Sequence, residues 1–279
     1  MKKEYSVTDL CAAFEVRQSG YYKAVQRQHE PGPRKMRDMQ LRAKIAVIYE
    51  QSGRTYGVPR VHASLKKQNE KASRKRVARL MDESGMEGAH ARRRKVLTTD
   101  SAHTSPVASN LLLKRNAPMK PDEIWAGDIT YIATGEGWLY LAAIKDLHTR
   151  RIVGWAMSAT IDTALVLESW RHAVATRRPD AGLIFHSDRG CQYASEAYAA
   201  ALKEHRVIAS MSRRGNCYDN ACVESGWGTL KTECVYRRHF ATRQQARIAI
   251  FEYLNFYNQR RLHSALGFKS PVDFESQSN

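Results

Sequence analysis

Cysteine is scarce in this sequence and is not arranged for cross-linking or for zinc. The 279 residues include five cysteines, an odd number, and none of them forms a C-x-x-C pair. This usage favours a reducing cytoplasm over a disulfide framework and argues against a structural zinc site. Apolar runs stay well below the roughly 18 residues that a membrane-spanning helix needs. The basic start "MKKEYSVTDLC" has no apolar segment behind it, so we expect no secretory signal.

The motifs of common hydrolases are also missing. The sequence has no G-x-x-x-x-G-K-[ST] loop for nucleotide hydrolysis and no G-x-S-x-G elbow. His186, Ser187 and Asp188 follow one another, but adjacent residues of a strand point to opposite faces of a sheet. Ser187 would therefore face away from His186, and the relay of a serine hydrolase cannot form.

Acidic residues are few relative to basic ones, and the imbalance is concentrated in one half. Lys plus Arg number 45 against 28 acidic residues, a net charge of +17. Residues 1–120 hold 26 basic and 11 acidic residues (net +15), whereas residues 121–279 hold 19 and 17 (net +2). This asymmetry favours a polyanion-binding region joined to a separate working domain, and phosphate backbones are the commonest polyanion. The alternative is a merely basic, soluble surface.

The basic half has the pattern of short helices. Residues 6–28 predict two helices, the first capped by Ser6 and the second opening at Ser19, and "PGPRK" (31–35) predicts a linker. A longer helix with Leu41, Ile45 and Ile48 on one face follows. Residues 54–86 predict a second helical pair, in which Ser73 caps a helix that ends near Gly85.

We expect these helical pairs to bind DNA, because a helix-turn-helix lays its second helix in a major groove. The alternative is a solvated pair that packs on another domain. A polar, basic stretch without periodicity then predicts a linker that could follow a phosphate backbone. The predicted DNA-binding residues of the helix and of this linker are Arg74, Lys75, Arg76, Arg79, Arg92, Arg93 and Arg94.

The second half predicts a mixed sheet with helices against it. Three runs rich in Ile, Val, Trp and Tyr (123–134, 137–147 and 150–160) are typical of consecutive strands. Helices are predicted at 162–178 and 194–205, and strands at 182–188 and 207–212. Two further helices are expected to finish the chain. Strands in hairpins, followed by strands alternating with helices, indicate an α/β fold with a mixed five-stranded sheet. The predicted domains are 1–90, a basic linker over 91–120, and 121–279.

Three carboxylates occupy positions of possible chemical interest. Asp128 lies within the first predicted strand and Asp188 ends the fourth. Glu224 lies on a predicted helix, since Val223, Trp227 and Leu230 recur at helical spacing. Each carboxylate alone is more often structural. Three of them on adjacent elements would form an oxygen-rich site for Mg²⁺, and two such ions about 4 Å apart can activate an attacking oxygen and stabilise the leaving one at phosphorus.

An ordered set of motifs in this sequence resembles a known family. In chain order these are "DITYI", "EGWLYLA", "RRIVGWAM", "HSDRGCQY", "RGNCYDNACVES", "GTLKTE" and "YNQRRLHSALGFKSP". The sequence is thereby similar to the second-frame (OrfB-type) transposases of bacterial insertion sequences, within the retroviral-integrase-like, ribonuclease-H-like superfamily. The segments "SGYY" and "YGVPRV…RKRVARLM" also resemble that family's helix-turn-helix regions.

The resemblance implies a ribonuclease-H-like catalytic core and a DDE triad that maps onto Asp128, Asp188 and Glu224. It implies two Mg²⁺ ions, or Mn²⁺ as a substitute, held by the triad. The implied reaction is attack by water, then by a DNA 3′-hydroxyl, on phosphodiesters of transposon-end and target DNA. The family's basic residue seven positions after the glutamate maps onto Lys231, which could hold a phosphate; an ordinary solvated lysine is the alternative.

The resemblance also implies partners and leaves some alternatives open. Self-association is expected, as is an upstream-frame (OrfA-type) protein or fusion, so we predict that this chain alone binds its transposon ends weakly. We expect the protein to lie in the bacterial cytoplasm and to associate with the nucleoid when it is bound to DNA. Gly226 with Trp227, and Leu262, depart from the family pattern, and neither departure is expected to touch the triad. A metal-dependent nuclease and a catalytically inactive DNA-binding remnant are the alternative functions.

Overall fold

A computed structural model describes residues 5–29, 32–90, 108–113, 115–213 and 221–277; the side chains of 27–29 and 221–225 are outside this description. The chain divides into two compact units, Met1–Gly88 and Ala89–Asn279. The predicted division at 90 and 120 stays a prediction, and most of the predicted linker lies outside the described residues. No helix in the described parts is long and apolar enough to cross a membrane.

The first unit is entirely helical in its described residues. Its helices are α1 (Val7–Ala13), α2 (Gln18–His29), α3 (Pro33–Gln51), α4 (Val58–Lys67) and α5 (Arg74–Asp82). As predicted, the side chain of Ser6 accepts a hydrogen bond from the backbone of Asp9 and caps α1, and that of Ser73 caps α5. Buried apolar residues of α3, α4 and α5 form the core of this unit: Leu41, Ile45, Ile48, Val61, Leu65, Val77, Leu80 and Met81.

One boundary in the first unit differs from the sequence-based prediction. The segment 31–35 was predicted as a linker, but α3 begins at Pro33. Proline is favoured at the first helical position because its fixed backbone angle suits a helix and its missing N–H would have no partner there. Pro33 therefore starts a helix.

The second unit contains the predicted five-stranded mixed sheet. Its strands are β1 (Ile124–Thr134), β2 (Gly137–Asp146), β3 (Ile152–Ser158), β4 (Ile184–Ser187) and β5 (Ile208–Met211). Their order across the sheet is β3-β2-β1-β4-β5. The pairs β1–β2 and β2–β3 are antiparallel, whereas β1–β4 and β4–β5 are parallel. The predicted α/β fold class is confirmed.

Helices cover both faces of this sheet. They are α6 (Thr163–Arg177), α7 (Glu196–Glu204), α8 (Ala221–Glu233), α9 (Arg243–Gln259) and α10 (Pro271–Glu275). Residues of α8 and α9 pack on one face, with Ala126 and Ala143 beneath them. Residues of α6 and α7 pack on the other, with Trp125 and Ile144 beneath. The prediction of two final helices was incomplete: α10 is capped by Ser270 and begins at Pro271, and five residues are too few to show a helical period.

Candidate active site

The sheet brings Asp128 and Asp188 to neighbouring positions. In the parallel pairing of β1 with β4, Ala126 lies opposite His186. Asp128 and Asp188 each follow two residues later, Asp188 being the first residue after β4. Both carboxylates are partly exposed to solvent. Because β1 and β4 run in the same direction, the two carboxylates lie at equivalent positions on neighbouring strands where β4 ends.

The hydroxyl of buried Tyr193 lies within electrostatic reach of both carboxylates. Burial raises its pKa well above the usual value, and the neighbouring Tyr198, Asp128 and Asp188 raise it further. A β-carbon at Gly127 would lie 2.5 Å from Phe185 Cζ and 3.3 Å from Tyr193 Oη. The glycine before Asp128 therefore lets the two aromatic rings pack directly beneath β1 at the carboxylate pair.

Each of the two carboxylates is oriented by local hydrogen bonds. Asp128 Oδ1 accepts a bond from the backbone N–H of Ile129 at 2.8 Å. Asp188 Oδ1 accepts one from the backbone N–H of Gly190 at 2.9 Å. A β-carbon at Gly190 would lie only 3.1 Å from Asp188 Oδ1. The glycine after "HSDR" thus leaves room for the carboxylate to turn back onto the loop.

Helix α8 contacts the first carboxylate through a residue that sequence reasoning set aside. Trp227 Nε1 donates a hydrogen bond of 2.8 Å to Asp128 Oδ2, and the Trp227 side chain is buried. The expectation that the departure at Trp227 would not touch the triad positions is therefore wrong. Ninety-nine residues separate the pair, so no local sequence signal could have shown the contact. Leu262, the other departure, is buried.

The third predicted carboxylate, Glu224, lies in the same helix. Its backbone is part of α8, three residues before Trp227, but its side chain is outside the described residues. Within the described parts of the chain, no group of three His, Cys, Asp or Glu side chains gathers as a metal site. Asp128 and Asp188 are the two predicted ligands whose side chains the structure describes.

Lys231 lies near Asp128, on the last turn of α8. Its ammonium sits 4.6 Å from the centre of the Tyr131 ring, in a cation–π contact. Burial lowers the pKa of Lys231, and the negative charge of Asp128 partly opposes that shift. The lysine is therefore held against the core near a carboxylate, unlike an ordinary solvated surface lysine.

His186 and Ser187, which precede Asp188, make hydrogen bonds that stabilise the sheet and the backbone next to it. The two ring nitrogens of buried His186 lie 2.9 Å from Ser210 Oγ and 3.1 Å from Ser212 Oγ. Ser187 Oγ donates to the backbone oxygen of Asp188. The His186 ring thus contacts serines of β5 and of the segment after it, while the Ser187 hydroxyl bonds to the backbone. The imidazole links β4 to β5 and its following loop, which supports the backbone that presents Asp188.

The predicted DNA-binding residues of the first unit fall into two groups. Arg76 and Arg79 form ion pairs of 2.6 Å with the two oxygens of Asp38 in α3, so they join α5 to α3. Arg74 and Lys75 are exposed. The linker residues Arg92, Arg93 and Arg94 lie outside the described residues.

Matches to known protein families and structures define the class to which this protein belongs. The Integrase core domain family matches residues 118–217, a second Integrase core domain family matches 224–278, and an HTH-like domain family matches 36–95. A chain from the cryo-EM structure of the simian T-cell lymphotropic virus intasome in complex with PP2A regulatory subunit B56 gamma has a similar fold. Its TM-score is 0.50 at 18% identity, over 76% of this chain and 69% of that one. The second unit has the integrase fold.

Curated relatives then identify the family. The chain is 43% identical over 269 residues to the insertion element IS600 uncharacterized 31 kDa protein of Shigella sonnei, over 96% of this chain and 98% of that protein. It is 37% identical over 276 residues to transposase InsF for insertion sequence IS3A of Escherichia coli (strain K12), over 99% and 96%. The chain belongs to this family of insertion-sequence transposases, enzymes of the DDE polynucleotidyl transferase class. The family predicted from the sequence is confirmed.

Proposed function

We propose that this chain is the DNA transposase of an insertion sequence, which cleaves transposon-end DNA and joins it to target DNA using Asp128, Asp188 and Glu224. The observation that carries the proposal is the β1–β4 register, which puts Asp128 beside Asp188. Trp227 Nε1, on the helix that contains Glu224, donates to Asp128. A family of transposases with an integrase core supplies the matching chemistry.

The described donors fit a divalent cation. Asp128 and Asp188 lie at equivalent positions on neighbouring parallel strands, and half-buried carboxylates are costly unless they are paired or bound to a cation. Carboxylate oxygens are the ligands that Mg²⁺ prefers, and Mn²⁺ accepts the same set. We therefore assign Asp128, Asp188 and Glu224 as ligands of two such ions. When bound, the ions would activate an attacking oxygen and stabilise the leaving oxygen at phosphorus.

Other residues of the chain would orient the DNA and the carboxylates. Trp227 fixes the orientation of Asp128 through its indole N–H, and Lys231 is placed to hold a phosphate next to Asp128. The exposed Arg74 and Lys75 of α5 are candidates for phosphate contacts by the first unit. We assign the same role to Arg92, Arg93 and Arg94. Arg76 and Arg79 are bound to Asp38 and would reach DNA only by giving up those ion pairs.

The proposed partners are transposon-end and target DNA, a second copy of the chain, and an upstream-frame (OrfA-type) protein. The prediction that the chain alone binds its ends weakly follows from the last of these. Tight binding to terminal inverted repeats, with strong preference over random DNA and no partner present, would contradict it.

A branched oligonucleotide that mimics an inserted transposon end tests the proposed function. It presents the joint directly, so it demands little of the recognition partner. With Mn²⁺, we expect the wild-type chain to reseal the target strand, and Glu224→Gln and Asp188→Asn to lose this activity. Glu204→Gln, an exposed acid on α7, serves as the matched control and should retain it.

Three outcomes would contradict the proposal. Nicking without resealing by the wild type would indicate a metal-dependent nuclease of the same fold. Resealing by Glu224→Gln at the wild-type rate would remove Glu224 from the site. If the wild type is inactive even with the upstream-frame protein added, the chain is a catalytically inactive DNA-binding remnant.

A further inference from the structure

The tip of the β1–β2 hairpin is held against the segment that follows α8. The backbone N–H of Gly135 donates to Phe240 O at 2.9 Å, and that of Arg243 donates to Glu136 Oε2 at 2.8 Å. A β-carbon at Gly135 would come within 2.6 Å of Ala241 O, so the two backbones are in close contact. The hairpin and the segment 236–243 therefore form one continuous surface.

Aromatic rings are exposed on this surface. Trp138, in the hairpin, is 48% exposed and packs edge-to-face on Tyr131, with ring centres 4.9 Å apart. Tyr236, in the neighbouring segment, is 45% exposed. Burial raises the pKa of Tyr131, and the Tyr236 phenol raises it further. Two large rings of this surface are thus open to solvent.

Positive charge accompanies these rings. Lys231 contacts the Tyr131 ring, and Arg237 and Arg238 are exposed next to Tyr236. The acid in the hairpin turn, Glu136, is bound to the backbone of Arg243. The residues of this patch, which we call the Trp138 surface, are Tyr131, Trp138, Lys231, Tyr236, Arg237 and Arg238. Lys231 contacts Tyr131 of this surface and lies within electrostatic reach of Asp128.

We propose that the Trp138 surface binds unpaired nucleotides of the DNA strand next to the phosphate that is attacked. Exposed aromatic rings offer faces on which bases can stack, and cations beside them hold the phosphates between those bases. Bases within a duplex are already stacked on each other, so both of their faces are covered and an exposed protein ring cannot stack on them. The combination of open rings and arginines, at the tip of the hairpin whose first strand contains Asp128, therefore fits a single strand. This inference rests on the proposed function, since it assumes that DNA reaches Asp128.

The unpaired strand could come from the transposon end or from the target DNA, and both have the same chemistry. Binding is measured by fluorescence anisotropy on the full chain in EDTA, so that no cleavage occurs. The probes are labelled duplexes of one sequence, either blunt or with a short single-stranded overhang. One pair carries the terminal inverted repeat and the other a random sequence, which distinguishes the two sources.

We expect the wild type to prefer the overhang probe to the blunt one. Trp138→Leu and Tyr236→Leu should each reduce that preference by about tenfold, because a base stacked on an aromatic side chain contributes affinity of that order. The double variant Arg237→Gln/Arg238→Gln should reduce overhang binding and flatten its salt dependence. Phe251→Leu, an equally exposed ring on α9 (55% exposed) that contacts Trp155 on β3, and Arg171→Gln, an exposed arginine on α6, are the matched controls and should bind like the wild type.

Two results would overturn the inference. If the ring variants keep the wild-type preference for the overhang, the rings do not contact unpaired bases. If they lose blunt and overhang binding equally, the surface holds duplex DNA. Neither result bears on the role of the carboxylates, because binding is measured without metal. The resealing reaction of the triad variants is a separate test of the proposed function.

Discussion

Replacing Arg261 with methionine should strongly destabilise the second unit. Arg261 follows α9 and binds Glu233 at the end of α8 through two hydrogen bonds, Nε to Oε2 at 2.7 Å and Nη2 to Oε1 at 2.6 Å. The Tyr253 hydroxyl also donates to Glu233 Oε2 at 3.0 Å. Both charged side chains are 4% exposed. Burial alone would lower the pKa of Arg261, but the hydrogen bonds to Glu233 raise it above its usual value, so the guanidinium stays charged.

The magnitude follows from what the substitution leaves behind. Without Arg261, Glu233 is a buried carboxylate that has lost the guanidinium bound to both of its oxygens, and the removal of one partner from such a pair costs about 3–5 kcal/mol. For a unit of this size the loss corresponds to a fall in melting temperature of roughly 6–20 °C. Replacing both residues, as Glu233→Met/Arg261→Met, removes the uncompensated charge and should recover most of the stability. The contact between α8 and the C-terminal segment thus depends on the charges being paired.

Tryptophan fluorescence measures this unit alone. All five tryptophans lie between residues 125 and 227, within the unit Ala89–Asn279. Equilibrium unfolding in urea, followed at these residues, gives the free energy of unfolding of the second unit. The control is Arg115→Met, which removes a partner from a surface pair with Glu123 and should cost less than about 1 kcal/mol. The reasoning is refuted if Arg261→Met lies within about 1 kcal/mol of the wild type, as the control does.

Three further predictions concern other parts of the chain. Trp227→Phe keeps a ring but loses the hydrogen bond to Asp128, so the rate of the resealing reaction should fall by about tenfold with the circular dichroism spectrum unchanged; an unaltered rate would contradict this role. Iodoacetamide at about pH 8 should modify exposed Cys191 and spare Cys234, because burial raises the pKa of Cys234 to about 11. Equal modification of the two cysteines, seen by peptide mapping, would contradict this. Hydrogen bonds from Arg79 and Arg76 lower the pKa of Asp38 in the folded protein. The contribution of Asp38 to stability is therefore present above its unfolded pKa of about 4, and it is lost as the pH falls through its lower folded-state pKa. Asp38→Asn should therefore speed hydrogen exchange in α3 and α5 at neutral pH, with the difference from wild type shrinking in acid, and equal exchange at neutral pH would refute it.

Much of the fold could be predicted because its signals are local. The strands β1, β2 and β3 are long and rich in β-branched and aromatic residues, and the helices α1 and α5 begin at serine caps. The end of β4 at Ser187 follows from the charged and glycine residues after it, so the position of Asp188 at the end of a strand was readable from the sequence. Helix α10 and the start of α3 at Pro33 were missed, because a short helix has no period and a proline favours turns and helix starts alike.

The contacts that orient the candidate site could not be predicted, because they join residues far apart in the chain. The bond from Trp227 to Asp128 spans 99 residues. The arginines of α5 showed a basic face in the sequence, but their pairing with Asp38 depends on how α3 packs against α5. The three carboxylates stood out by their positions in the sequence, but their assignment as a triad came from the family resemblance, and their roles stay predictions.

Mn²⁺ binding to the full chain, measured by electron paramagnetic resonance, tests the central claim most directly. If Asp128 and Asp188 hold a cation between them, the wild type binds Mn²⁺ and either Asp128→Asn or Asp188→Asn weakens the same binding step. Asp180→Asn, an exposed aspartate before β4, should leave it unchanged. Wild-type Mn²⁺ binding by both single variants would contradict the assignment of these two carboxylates as a shared metal site.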